Sequence, residues 1–145
     1  MLRSLIDDKP VMLSKFFRLI PKTLTSTAIS SFGGDLSISA NEFILTEDMN
    51  IGGDLTLNAK DGKISTTNSI TANAVSLSAT DSIEVKDINS TNNTYIASST
   101  SNVEINGAIN SSGDVYIEAN QDINQHKNIS LTQENKTIEL VSKAG

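Results

Sequence analysis

A seven-residue frame returns at a step of about 20 residues, the low end of the range that solenoids use, and dominates what this chain can fold into. It reads Gly34-Asp35-Leu36-Ser37-Ile38-Ser39-Ala40, then Gly53-Asp54-Leu55-Thr56-Leu57-Asn58-Ala59, then Asn73-Ala74-Val75-Ser76-Leu77-Ser78-Ala79. It comes back as Gly113-Asp114-Val115-Tyr116-Ile117-Glu118-Ala119. Two further apolar columns keep the same step. One is Ile44, Ile64, Ile83, Val103 and Ile123, and the other is Ile51, Ile70, Ile88, Ile109 and Ile129. Three columns with one period predict a solenoid. Within each frame apolar and polar residues alternate, so the local element is a strand with one buried face.

Each repeat has room for about three short strands. In the second they are expected at 54–59, 63–66 and 69–70, with turns at Gly52-Gly53, Lys60-Asp61-Gly62 and Thr67-Asn68. Gly34, Gly53, Asn73, Asn93 and Gly113 precede the first strand of their repeats. Gly and Asn accept positive φ at low cost, which predicts a recurring left-handed corner. Equivalent strands of successive coils would pair in parallel and in register, rising about 4.8 Å per coil. The inward ladders are then Leu36-Leu55-Val75 on to Val115, Ile38-Leu57-Leu77 on to Ile117, and Ala40-Ala59-Ala79 on to Ala119. The fourth repeat leaves its register open. Either Tyr95 and Ala97 or Thr94 and Ile96 face inward, because a one-residue slip exchanges the faces.

Composition changes at Gly33. All 15 Asn and all 8 Gly follow residue 32, and both prolines, Pro10 and Pro21, precede it. A stacked coil needs its backbone N–H groups, so the lack of proline in the body fits. With only 4% aromatic residues and no Trp, the interior is built from Ile, Leu, Val and Ala. There is no Cys, hence no disulfide and no thiolate metal site. Residues 1–32 hold five basic and two acidic side chains, a balance of +3; the remainder holds six and fifteen, a balance of −9. An acidic body argues against nucleic acid as a partner, since phosphate contacts need Lys and Arg.

The division is therefore a basic N-terminal segment over 1–32 and a repeat domain over 33–145. In the first, Met12, Leu13, Phe16, Phe17 and Ile20 suit a short helix over 11–20, stopped by Pro21. The segment can be read as a cap on the open end of the solenoid. It can also be read as a leader, although Arg18 and Lys22 interrupt the apolar run that a signal peptide needs. A basic amphipathic helix on a membrane surface is the third reading. At the other end the alternation runs on to Gly145 in mid-pattern, as expected of a segment of a longer repeat protein. Unpaired strand edges at either end of such a stack invite self-association.

The frame Gly-Asp-Leu-x-Leu-x-Ala followed by Ile resembles the haemagglutinin repeats of filamentous haemagglutinin-type adhesins. Residues 34–51, 53–70 and 113–129 are the copies most like it, and the resemblance covers 33–145. It implies a right-handed parallel β-helix, here of five to six coils. It also implies a secreted or cell-surface adhesin, exported through an outer-membrane pore and directed at a host-cell receptor or glycan. The secretion domain that precedes the repeats in that family is not recognisable here.

The residues offer little chemistry. His126, the only His, lies in a polar loop without a His or Cys companion, so no metal centre is expected. Asp35, Asp54 and Asp114 share one repeat position; they suit turn aspartates that bond backbone better than cation ligands. Asp81, Glu84 and Asp87 could be recruited as paired carboxylates for polysaccharide cleavage, but corner loops of two to six residues build no cleft wall. The sequence thus predicts an all-β parallel β-helix with a short, partly helical N-terminal segment, no catalytic or metal-binding residue and no cofactor. Its expected role is a structural and adhesive rod segment. A polysaccharide-binding or polysaccharide-degrading β-helix is the alternative, and a gene fragment without function the third.

Overall fold

The structure, a computed structural model, describes residues 2–6, 9–13, 23–29, 33–45 and 48–144. From Leu36 onward the chain winds through five coils of three strands each. The first coil holds β4 (Leu36–Ala40), β5 (Glu42–Leu45) and β6 (Met49–Asn50). The second holds β7 (Leu55–Ala59), β8 (Ile64–Thr66) and β9 (Ile70–Ala72). The third holds β10 (Val75–Ala79), β11 (Ile83–Val85) and β12 (Ile88–Ser90). The fourth holds β13 (Thr94–Ser98), β14 (Val103–Ile105) and β15 (Ile109–Ser111). The fifth holds β16 (Val115–Ala119), β17 (Ile123–Gln125) and β18 (Ile129–Leu131), and β19 (Ile138–Ser142) begins a sixth. Like strands stack in parallel and form three sheets, a long-strand sheet from β4 to β19 and two short-strand sheets. This is a parallel β-solenoid.

The long-strand sheet obeys the predicted register. Leu55 lies between Leu36 and Val75, and Leu57 between Ile38 and Leu77. These side chains are fully buried, as are Val115 and Ile117 further along. The column of Ala40, Ala59, Ala79 and Ala119, with Ser98 in the fourth coil, closes the long strand where the chain turns into the second sheet. The fourth coil is settled by β13. Thr94, Ile96 and Ser98 face inward, and Tyr95 faces out. The two hydroxyls in this otherwise apolar ladder are satisfied. Thr94 Oγ1 lies 2.7 Å from Ser90 Oγ, and Ser98 Oγ donates to the Asp81 carbonyl at 2.8 Å. Ser90 also reaches Ser111, and both bond the Asn92 carbonyl. A buried hydroxyl costs little only when its hydrogen bonds are made.

Three expectations are corrected in the first coil and at the corners. Phe43, not Ile44, pairs with Ile64, so Phe43 is buried and Ile44 is turned outward. The corner between Ala40 and Phe43 is shorter than the one between Ala59 and Ile64, so the inward position arrives early. Met49, not Ile51, pairs with Ile70. Ile51 follows two positions on and is still buried, because a two-residue step preserves the face. At the first corner, Asn92 rather than Asn93 continues the line of Gly34, Gly53, Asn73 and Gly113, each amide donating to the carbonyl of the residue before it in that line.

The corners are not left-handed. Among the described residues only Asn135 has positive φ, at 60°, and no glycine does. Glycine serves close approach instead. A Cβ on Gly113 would stand 2.2 Å from Asn93 Oδ1 and 2.6 Å from the Asn92 carbonyl carbon; one on Gly53 would stand 2.7 Å from the Asp35 nitrogen.

In the N-terminal segment β1 (Leu2–Ile6), β2 (Lys9–Leu13) and β3 (Thr23–Ile29) are strands. β3 pairs in parallel with β5, and β1 pairs antiparallel with both β2 and β3. Of the stretch 11–20 expected to be helical, 11–13 belong instead to β2, and 14–20 lie outside the described residues. So short a helix is marginal on its own, whereas the edge of β1 offers residues 11–13 a row of backbone partners.

Candidate binding surface

The corners account for the aspartates first. Asp35 Oδ1 accepts the Asp54 N–H at 2.9 Å, and Asp54 Oδ1 accepts the Ala74 N–H at 3.2 Å. Asn93 does the same for Asp114 at 2.9 Å, and Asp114 for Thr137 at 2.8 Å. The other corners repeat the device. Asp48 takes the Ser69 N–H, Asp87 the Ala108 N–H and Asn102 the Asp122 N–H. Each bond ties one coil to the next at a place where the sheet ladder is interrupted. Asp35, Asp54 and Asp114 are therefore backbone acceptors, but of the following coil and not of their own turn. Among the described residues, no group of three or more His, Asp or Glu side chains is placed to hold a metal ion.

This device carries a pH dependence. The Thr137 N–H holds the Asp114 carboxyl below its ordinary 3.8, against a smaller opposing effect of desolvation. Asp48 is likewise lowered, chiefly by the Ser69 N–H. A depressed folded pKa contributes stability above the unfolded value, and that contribution is lost as pH falls through the folded value. Below pH 3.8 the attachment of β19 should therefore weaken. Asp114→Asn should abolish that loss, since an Asn oxygen already performs the same task at Asn93. Amide exchange of Glu139 and Val141, whose N–H groups face β16, at pH 3 and pH 6 checks this: the wild type should lose protection in acid and the variant should not.

The remaining candidates do not converge. Asp81 accepts its neighbour's Ser82 N–H at 2.8 Å, and Asp87 is used at another corner. Glu84 lies outward on β11, in register between Ser65 and Glu104. His126 is exposed and meets Glu104 at 3.2 Å.

The outward face of the long-strand sheet gathers what the sequence reading did not single out. Two columns run along it. One is Ser37, Thr56, Ser76, Tyr95, Tyr116, Glu139; the other is Ser39, Asn58, Ser78, Ala97, Glu118, Val141. Tyr95 and Tyr116 are register partners, and their rings stack with centroids 5.5 Å apart and planes 4° from parallel. Tyr116 donates its hydroxyl to Glu118 at 2.6 Å, and Lys143 pairs with Glu118 from the other side. Lys143 and then Tyr116 keep the Glu118 carboxyl below its usual range, while the bond to Glu118 pushes the Tyr116 phenol up to about 12. Tyr116 is thus fixed as a neutral donor. Tyr95 has no such tether among its described contacts and remains 41% exposed. The signal was present in the sequence: the chain's only two tyrosines are spaced by one repeat, which is one coil of this solenoid.

Searches against protein-family models, curated proteins and solved structures gave no match.

Proposed function

We propose that this chain is a structural and adhesive rod segment of a bacterial cell-surface or secreted protein, without catalysis. The observation that carries the reading is the continuous stack. Each coil adds one rung of about 4.8 Å, buries the same ladder and leaves its outward side chains free to vary. Such an object gains length by repetition and presents chemistry on its sides, which suits holding a binding surface away from a cell. The resemblance of the Gly-Asp-Leu-x-Leu-x-Ala frame to haemagglutinin repeats supports the same reading. On that reading, export through an outer-membrane pore and a host receptor or glycan as partner are part of the proposal.

Beads coated with the folded chain should agglutinate erythrocytes, and beads coated with the heat-unfolded chain should not. Absence of agglutination, or equal agglutination by both, would overturn the adhesive role. A polysaccharide-binding β-helix is the second reading, favoured by the exposed tyrosine stack. A degrading activity is distinguished by incubation with neutral and acidic polysaccharides. Shortened products that disappear with Asp81→Asn or Glu84→Gln would replace the adhesive reading with an enzymatic one.

A further inference from the structure

We infer that the open face of Tyr95 is a subsite for one pyranose ring of a neutral glycan, lying over Ser76 on the long-strand sheet. The inference rests on the adhesive reading and gives it a location and a ligand class.

One face of the Tyr95 ring is covered by Tyr116. The opposite face looks along the stack towards β10, where its register partner is Ser76. A serine side chain ends one atom beyond Cβ, far short of a tyrosine ring, so that face stands clear. The next positions in its column, Thr56 and Ser37, are also small. Ser78 and Asn58, in the adjoining column, add a hydroxyl and an amide beside the same space. An apolar plane bordered by short donors and acceptors matches a pyranose, which has C–H groups on its faces and hydroxyls around its edge. The ring would occupy the place of one further rung in the tyrosine stack.

Charge decides between classes of sugar. On the far side of the stack, Tyr116 has Glu139 as its register partner and Glu118 on its hydroxyl. Lys143 offsets one of these carboxylates, and the body of the chain is acidic. Like charges across a contact are disfavoured, so sialylated or sulfated glycans should bind less well than neutral ones.

The chain carries its own reporter. It has two tyrosines, both in this stack, and no Trp, so its tyrosine emission comes from this stack alone. Titration with cellohexaose, maltohexaose, chitohexaose and lacto-N-tetraose should give a saturable change in tyrosine emission with at least one of them. Calorimetry with that glycan should show Tyr95→Ala weakening binding by about tenfold or more. Ser76→Ile, which covers the ring with an aliphatic side chain that suits a strand, should do the same while retaining the fold. Sialyllactose and a heparin hexasaccharide should bind more weakly at low salt. The inference is overturned if no neutral glycan changes the emission, if neither variant weakens binding, or if the anionic sugars bind better. Agglutination that persists in Tyr95→Ala would remove this subsite and leave the adhesive role standing. Glycan binding at Tyr95 without agglutination by the wild type would do the reverse.

Discussion

Replacing Leu77 by Ala is expected to lower stability by about 2–5 kcal/mol, the usual cost of emptying a buried leucine site. The same change at Leu140 should cost less than about 1 kcal/mol. The two residues occupy one ladder, Ile38-Leu57-Leu77-Ile96-Ile117-Leu140. Leu77 is enclosed between Leu57 and Ile96, whereas Leu140 has Ile117 on one side and is 43% exposed. Neighbouring coils on both sides prevent the Leu77 site from collapsing, so its cavity persists. Urea unfolding with an unchanged slope measures both effects. Equal losses at the two positions would mean that the ladder is not graded from the middle of the stack to its end.

A second expected result concerns the backbone. Ser78→Pro should cost about 1–3 kcal/mol for the ladder donor it removes, before any clash of its ring, and Ser78→Ala only a few tenths of a kcal/mol. Ser78 faces outward on β10, so neither change empties the interior. β10 is paired along its length with β7 on one side and β13 on the other. Proline removes a donor from that ladder and sets its ring against the adjoining strand, a place where it is rarely found. The damage should not stay local, because each coil is ordered by its neighbours. The comparison is read from far-UV circular dichroism and urea midpoints. A Ser78→Pro chain as stable as Ser78→Ala would contradict pairing on both sides of β10.

Most of the architecture was legible because the aliphatic ladders repeat. Leu55, Leu57 and Ala59 announce a strand, and their counterparts one repeat before and one repeat after announce its neighbours. What failed was local register wherever a corner changes length. Ile44 looked equivalent to Ile64, yet a shorter corner after Ala40 puts Phe43 inside. Spacing alone could not separate them, since both are apolar. Ile51 was misplaced by two positions without changing face, an error that period-two alternation hides. Asn92 and Asn93 are chemically alike, so only the hydrogen bonds tell the corner residue from the acceptor that ties coil to coil. That ambiguity also concealed the candidate surface. Once β13 is placed with Thr94 and Ile96 inward, Tyr95 is directed onto Tyr116. The glycines misled for a different reason: they relieve crowding between coils, not backbone strain. The helix expected over 11–20 had suitable periodicity, but periodicity says nothing of an available strand edge such as that of β1, which β2 pairs with.

The most direct test of in-register stacking uses disulfides, since the chain has no cysteine of its own. Thr56 and Ser76 are register partners on the outward face of the long-strand sheet. Their separation should be about 4.8 Å, within the range a disulfide spans, whereas Thr56 and Ser78 should stand about 8 Å apart, beyond it. On mild oxidation, the Thr56→Cys, Ser76→Cys chain should form an intramolecular bond rapidly and keep its fold. Thr56→Cys, Ser78→Cys should remain reduced. Bonding of the second pair at the rate of the first, or failure of the first pair to bond, would contradict the stacked-coil account.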